Sequence, residues 1–156
     1  MVKWGLTPVR VMKYEKSAGA IIFYRGASGL RYLLLYRKAN PPYKEAWDFS
    51  KGTIEKGEDE IEAVKREVKE ETDLADLVFI PDFREVLKVF YRREGELILK
   101  IIVFYLARTK TKKIKLSFEH DDYAWLGYKE ALEKLTYKNS KEILKKADQH
   151  LVTCNL

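Results

Sequence analysis

Three glutamates crowd one short run, Arg66-Glu67-Val68-Lys69-Glu70-Glu71, and a fourth, Glu58, precedes it. On a helix turning about 100° per residue, Glu67 and Glu71 stand one turn apart on a shared face. Glu70 flanks that face. Like charges at this spacing repel, and a helix C-terminus disfavours negative charge. A bound cation relieves both costs. Carboxylate oxygens are hard ligands, so the set suits Mg²⁺ or Mn²⁺ rather than a soft metal.

The same residues could instead form a solvated, glutamate-rich helix face in which Lys65 and Lys69 supply ordinary ion pairs. The longer spacing argues against that. Gly52, Glu58, Arg66, Glu67, Val68, Glu70, Glu71 and Leu74 all fall where the pattern G-x5-E-x7-R-E-U-x-E-E-x-G-U requires them, U being aliphatic. The chain thereby resembles the Nudix family, whose members cleave nucleoside diphosphates linked to another group. Asp73 stands where that pattern has glycine. The position ends a helix, and Asp tolerates the left-handed conformation better than most residues.

A second segment narrows the resemblance. Leu116-Ser117-Phe118-Glu119-His120-Asp121-Asp122-Tyr123-Ala124-Trp125-Leu126 is similar to the L-S-x-E-H-x-x-Y-x-W-L stretch of asymmetric diadenosine tetraphosphate hydrolases. Ser17 to Phe23, Tyr32 to Leu35, Lys51-Gly52 and Lys129 to Leu135 also resemble that subfamily. The resemblance implies that the Gly52 carbonyl, Glu67, Glu70 and Glu71 hold the metal, and that Glu119 completes the metal site or assists with the proton. It further implies that Arg66 holds a carboxylate in place, that Glu58 braces the loop or adds an outer-shell ligand, and that Glu71 or Glu67 activates the attacking water, with Glu71 favoured. Attack on a phosphorus ringed by negative oxygens needs charge neutralisation and a deprotonated water, and divalent metal supplies both.

Candidates for substrate binding are Lys51, Lys100, Tyr91 and Tyr123. Lys100 interrupts the apolar run LILKIIVFYLA, as a phosphate-binding cation or as an edge residue reaching water. Tyr91 and Tyr123 could stack a base, although ten tyrosines make simple packing an equal reading for each. Tyr43 is a weaker candidate, His120 reads equally as a ligand or acid and as a histidine that orients its loop, and His150 reads as structural. A 5′-triphosphorylated RNA end is the rival substrate. Trp47-Asp48-Phe49-Ser50-Lys51-Gly52 is similar to the W-x-F-P-K-G entry of decapping Nudix enzymes, with Ser50 in place of proline. A non-catalytic nucleotide-binding module would be expected to lack some of these carboxylates.

The elements that must position this chemistry follow from periodicity. Ile61, Val64 and Val68 mark the buried stripe of a helix over about Asp59 to Thr72. Strands are expected at Ser17 to Tyr24, Tyr32 to Arg37, Leu77 to Ile80, Arg84 to Arg93, Leu97 to Ala107 and Ala124 to Gly127. Gly26 to Gly29 and Glu94-Gly95 are turns between them. Helices at Lys129 to Leu135 and Ser140 to Leu151 close the chain. Strands, one central helix, more strands and terminal helices indicate an α/β fold with a mixed sheet covered on both faces. That agrees with the α/β/α sandwich implied by the Nudix resemblance.

The 156 residues fit one domain, residues 1–156. The net charge of +6 favours polyanionic ligands without choosing between a dinucleotide and RNA. No apolar run approaches the roughly 20 residues of a membrane span, and the single Cys154 permits no internal disulfide. Cytoplasmic residence is the expectation. Oligomeric state is left open, as is the segment Met1 to Tyr14, whose Trp4, Leu6, Val9 and Val11 fit docking, an extra strand or a subunit contact equally.

Overall fold

A computed structural model describes residues 12–154; Trp4, Leu6, Val9 and Val11 lie outside the described residues. Strict alternation along the strands builds the layers. In β1 (Lys13–Gly26) and β2 (Gly29–Arg37), Ile21, Phe23, Tyr32 and Leu34 pack in one core. Ala18, Ala20, Ile22, Leu33 and Leu35 pack in another. Both faces are therefore buried, which explains why these strands read as continuous apolar runs. Helix α1 (Glu60–Thr72) covers the second face with Ala63, Val64 and Val68, while Ile61 is only half-buried. The first face is covered by α2 (Tyr128–Lys134) and α3 (Lys138–Thr153), through Ala131, Ile143, Leu144, Ala147 and Leu151.

The other strands are β3 (Ala46–Asp48), β4 (Ser50–Thr53), β5 (Val78–Arg93), β6 (Glu96–Arg108) and β7 (Asp122–Leu126). β1 runs parallel to β6 from Lys13↔Ile98 to Phe23↔Arg108. All the other pairings are antiparallel, so the sheet is mixed. β1 divides its remaining partners: Ser17 to Ala20 pair with β4, whereas Phe23 to Gly26 pair with β2. Gly19 permits the close approach of β4, since a Cβ there would lie 2.6 Å from the Ser50 carbonyl oxygen.

The segments expected as two strands near residues 77–80 and 84–93 form one strand, β5, with a register shift between Phe79 and Arg84. Pro81 lacks an N–H for the ladder, and Asp82 has φ 63°; together they account for the irregularity. β1 begins at Lys13, earlier than expected, because its polar first residues pair with β6 instead of entering a core. Among the described residues, no helix is long and apolar enough to cross a membrane.

Candidate active site

The site begins with how α1 is held. Asp59 caps its N-terminus by accepting from the Glu62 N–H at 2.8 Å, and Glu62 returns the bond to Asp59 at 3.2 Å. At the other end Asp73 takes the left-handed conformation (φ 65°) and its N–H reaches the Lys69 carbonyl at 3.0 Å. Asp therefore fills the glycine position with ordinary capping geometry. Val64 and Val68 anchor the helix on the sheet, which turns Glu67 and Glu71 toward β4.

Glu71 is the most enclosed of the carboxylates, only 3% exposed. The Ser50 hydroxyl donates to its Oε2 at 2.6 Å. Burial foremost, with added repulsion from Glu67 and Glu119, pushes its pKa up to about 8, against the Ser50 hydrogen bond and the Lys51 charge. Glu67 is also shifted upward by burial, although Arg66 Nη1 donates to its Oε1 at 2.7 Å. Gly52 lies beneath it, and a Cβ at that position would overlap the Glu67 carboxylate. That contact gives the glycine its physical reason.

Arg66 organises the loop before the helix. Its Nε and Nη2 form a two-pronged pair with Glu58 at 2.7 and 2.9 Å, and Nη2 also donates to the Thr53 carbonyl at 2.8 Å. The Glu55 N–H donates to Glu58 as well, at 3.0 Å. Arg66, and then that N–H, lower the Glu58 pKa to about 2. Glu70 is 57% exposed and meets Arg66 only at 3.4 Å.

Glu119 arrives from a distant part of the chain. The strap between β6 and β7 is tied down stepwise: the Thr109 hydroxyl to Asp76 at 2.5 Å, the Lys112 carbonyl to the Trp125 indole at 2.9 Å, the Lys115 N–H to the Thr72 carbonyl at 3.0 Å, and the Ser117 N–H to the Glu71 carbonyl at 3.2 Å. This brings potential ligand atoms of Glu71, Glu119 and His120 within 4.8 Å of one another. Burial, chiefly, holds the His120 imidazole below its ordinary range. An oxygen-rich set with a buried carboxylate of raised pKa fits a hard divalent cation.

Glu71 and Glu119 open into a cleft of about 470 Å³. Lys51 lines it, with its ammonium 2.5 Å from Asp48 and facing the Tyr137 ring. Asp48 is buried and also accepts from the Ser140 hydroxyl at 2.8 Å and the Phe49 N–H at 2.9 Å. Lys100 is half-buried on β6, in register with Glu15. Burial first, then the Lys51 charge, lower its pKa. Tyr91 and Tyr123 are not among the residues that line the cleft. The Tyr91 hydroxyl donates to Glu15 at 2.5 Å, and Tyr123 lies on β7 opposite Leu35.

Sequence reasoning missed Arg37, Asp48, Phe118 and Tyr137, all of which line the cleft. Phe118 is 96% exposed beside Glu119, a place no core residue would occupy. Only its apolar type next to the Glu119-His120 pair could have flagged it. The His150 ring nitrogen lies 2.9 Å from the Pro81 carbonyl and its ring packs on Phe83.

The chain matches the NUDIX domain over residues 13–147. It is 32% identical over 146 residues to the asymmetrical bis(5′-nucleosyl)-tetraphosphatase of Mus musculus, covering 87% of this chain and 95% of that one. The Caenorhabditis elegans enzyme of the same name is 31% identical over 134 residues, with 84% and 92% covered. Among solved structures, a C. elegans Ap4A hydrolase binary complex aligns with a TM-score of 0.77 at 30% identity, over 89% of this chain and 98% of that one.

Proposed function

The chain belongs to the NUDIX family, and within it we propose a cytoplasmic, metal-dependent hydrolase that splits diadenosine tetraphosphate asymmetrically into ATP and AMP. One observation carries the reading: a buried carboxylate, Glu71, sits at the junction between an acidic cluster and a cation-lined cleft. The similarity to the mouse and worm tetraphosphatases supports the choice of substrate. The proposal treats residues 1–156 as a single Nudix unit.

The residues proposed to hold Mg²⁺, or Mn²⁺ in its place, are Glu67, Glu70, Glu71 and Glu119, with the Gly52 carbonyl. When bound, such an ion neutralises phosphoryl charge and lowers the pKa of water. Glu71 is the proposed base. The Ser50 hydroxyl donates to its Oε2 and holds the carboxylate in place for that role. Glu67 is engaged by Arg66, so Arg66 and Glu58 act as the frame of the site. Lys51 and Lys100 receive the phosphates, while Tyr91 and Tyr123 remain candidates for stacking a base beside the cleft aromatic Tyr137.

Anion-exchange analysis of products tests the reading. The protein is incubated with Mg²⁺ and either diadenosine tetraphosphate or a 5′-triphosphorylated RNA. ATP plus AMP, formed much faster than RNA ends are trimmed, is expected. Efficient pyrophosphate release from RNA with a sluggish dinucleotide would overturn the substrate.

A further inference from the structure

Among the described residues, two buried side-chain nitrogens lack a hydrogen-bond partner: Arg37 Nε and His120 Nδ1. Both residues line the cleft that holds Glu71 and Glu119. A buried polar nitrogen without a hydrogen-bond partner is costly, so folds seldom leave one without a reason. Two in one cleft point to an absent partner rather than to two separate packing faults.

The charges around the cleft say what that partner is. Three cationic side chains line it: Arg37, Lys38 and Lys51. The Lys51 ammonium is paired with Asp48 at 2.5 Å. Lys38 lies 3.8 Å from Asp121, whose other oxygen accepts from the Lys38 N–H at 3.0 Å. Among the described residues, no ion pair or hydrogen bond reaches the Arg37 guanidinium; its neighbour is the Tyr43 ring, with the guanidinium carbon 5.6 Å from the ring centroid. Tyr43 is itself fixed by a pair of backbone bonds with Asn40, at 2.8 and 2.9 Å. Stacking covers one face of the guanidinium and leaves its in-plane donors for another group. A planar fork of donors matches phosphate, and a neighbouring imidazole nitrogen adds a further donor.

We propose that Arg37 and His120 together form a phosphoryl subsite, bordering the proposed metal-binding carboxylates, that reads the length of the polyphosphate chain. The subsite takes a phosphoryl group of the leaving triphosphate, so it favours tetraphosphate dinucleotides over triphosphate ones. The specificity rests on the proposed function; the anion binding does not.

The test separates the two. Binding of inorganic triphosphate and of AMP to the full chain is measured by calorimetry, alongside kcat/KM for diadenosine tetraphosphate and triphosphate. Arg37→Ala should weaken triphosphate binding about tenfold or more, the size of one lost charge-assisted pair, and leave AMP within about twofold. Arg37→Lys, which keeps the charge without the fork, should recover only part. His120→Asn keeps a donor near the Nδ1 position and should bind triphosphate better than His120→Ala. The tetraphosphate-to-triphosphate ratio of kcat/KM should fall in Arg37→Ala. Triphosphate affinity unchanged in Arg37→Ala, or lost equally for AMP, would overturn the subsite. Triphosphate binding lost as expected, in a protein that turns over neither dinucleotide, would uphold the subsite and sink the proposed substrate instead.

Discussion

The two walls of the site are built in opposite ways. Most of the carboxylates proposed to hold metal come from one stretch of chain, where a glycine strand and the helix after it set them by local spacing. The basic and aromatic wall is gathered from the end of β2, from Lys51 of β4, from the strap before β7 and from Tyr137 just before α3. Spacing along a helix is a local property, so the chemistry is written in consecutive residues. Selectivity depends on tertiary packing, which no short pattern records.

The sharpest way to break this contrast is Glu71→Gln, which removes the proposed proton acceptor and keeps the shape. We expect kcat to fall by about a thousandfold, within the usual range for general-base catalysis, with dinucleotide affinity little changed. Stopped turnover with retained binding, measured by calorimetry, would check it.

Gly52→Ala tests whether the acidic wall depends on close backbone approach. The added Cβ must push the Glu67 carboxylate aside. Displacement of a positioned group by about an ångström costs on the order of a hundredfold in rate. The fold should survive, as circular dichroism would report.

On the opposite wall, Tyr137→Ala should raise KM about tenfold with kcat nearly unchanged, if the ring stacks a base. Tyr91→Ala should change KM less, because its hydroxyl is already committed to Glu15. Equal effects would mean that the cleft extends further along β5 than its lining indicates.

The smallest effect is on stability. The Glu71 carboxyl titrates near 4.5 when unfolded and near 8 in the metal-free fold, chiefly because burial penalises its charge. Between those values the native state holds the extra proton, so stability falls as pH rises through the window. Without metal, the melting temperature should drop by several degrees from pH 5 to pH 8. Mg²⁺ should raise it more at pH 8 than at pH 5, measurable by thermal melts with and without chelator.

These contrasts also mark what was legible in the residues. Val64 and Val68 identified the α1 face, and the order of strands, central helix, further strands and terminal helices indicated a sheet covered on both sides. The Asp73 cap follows from its residue type. β5 was misjudged as two strands because Pro81 and Asp82 look like a break, whereas the ladder to β6 resumes beyond them. Arg37 gave no local signal, since a basic residue ending an apolar strand is commonplace on a surface. Its meaning comes from Asp48 and Asp121 occupying the other cations. Tyr137 is carried to the cleft by the bonds that tie its neighbours to β3, between Thr136 and Trp47 and between Ser140 and Asp48.

The central claim, chemistry on one wall and recognition on the other, is tested most directly by steady-state kinetics on Glu71→Gln and Lys51→Ala with diadenosine tetraphosphate and Mg²⁺. The account predicts that the first loses kcat at nearly constant KM and the second raises KM at nearly constant kcat. Loss of kcat in both to the same degree would contradict the division.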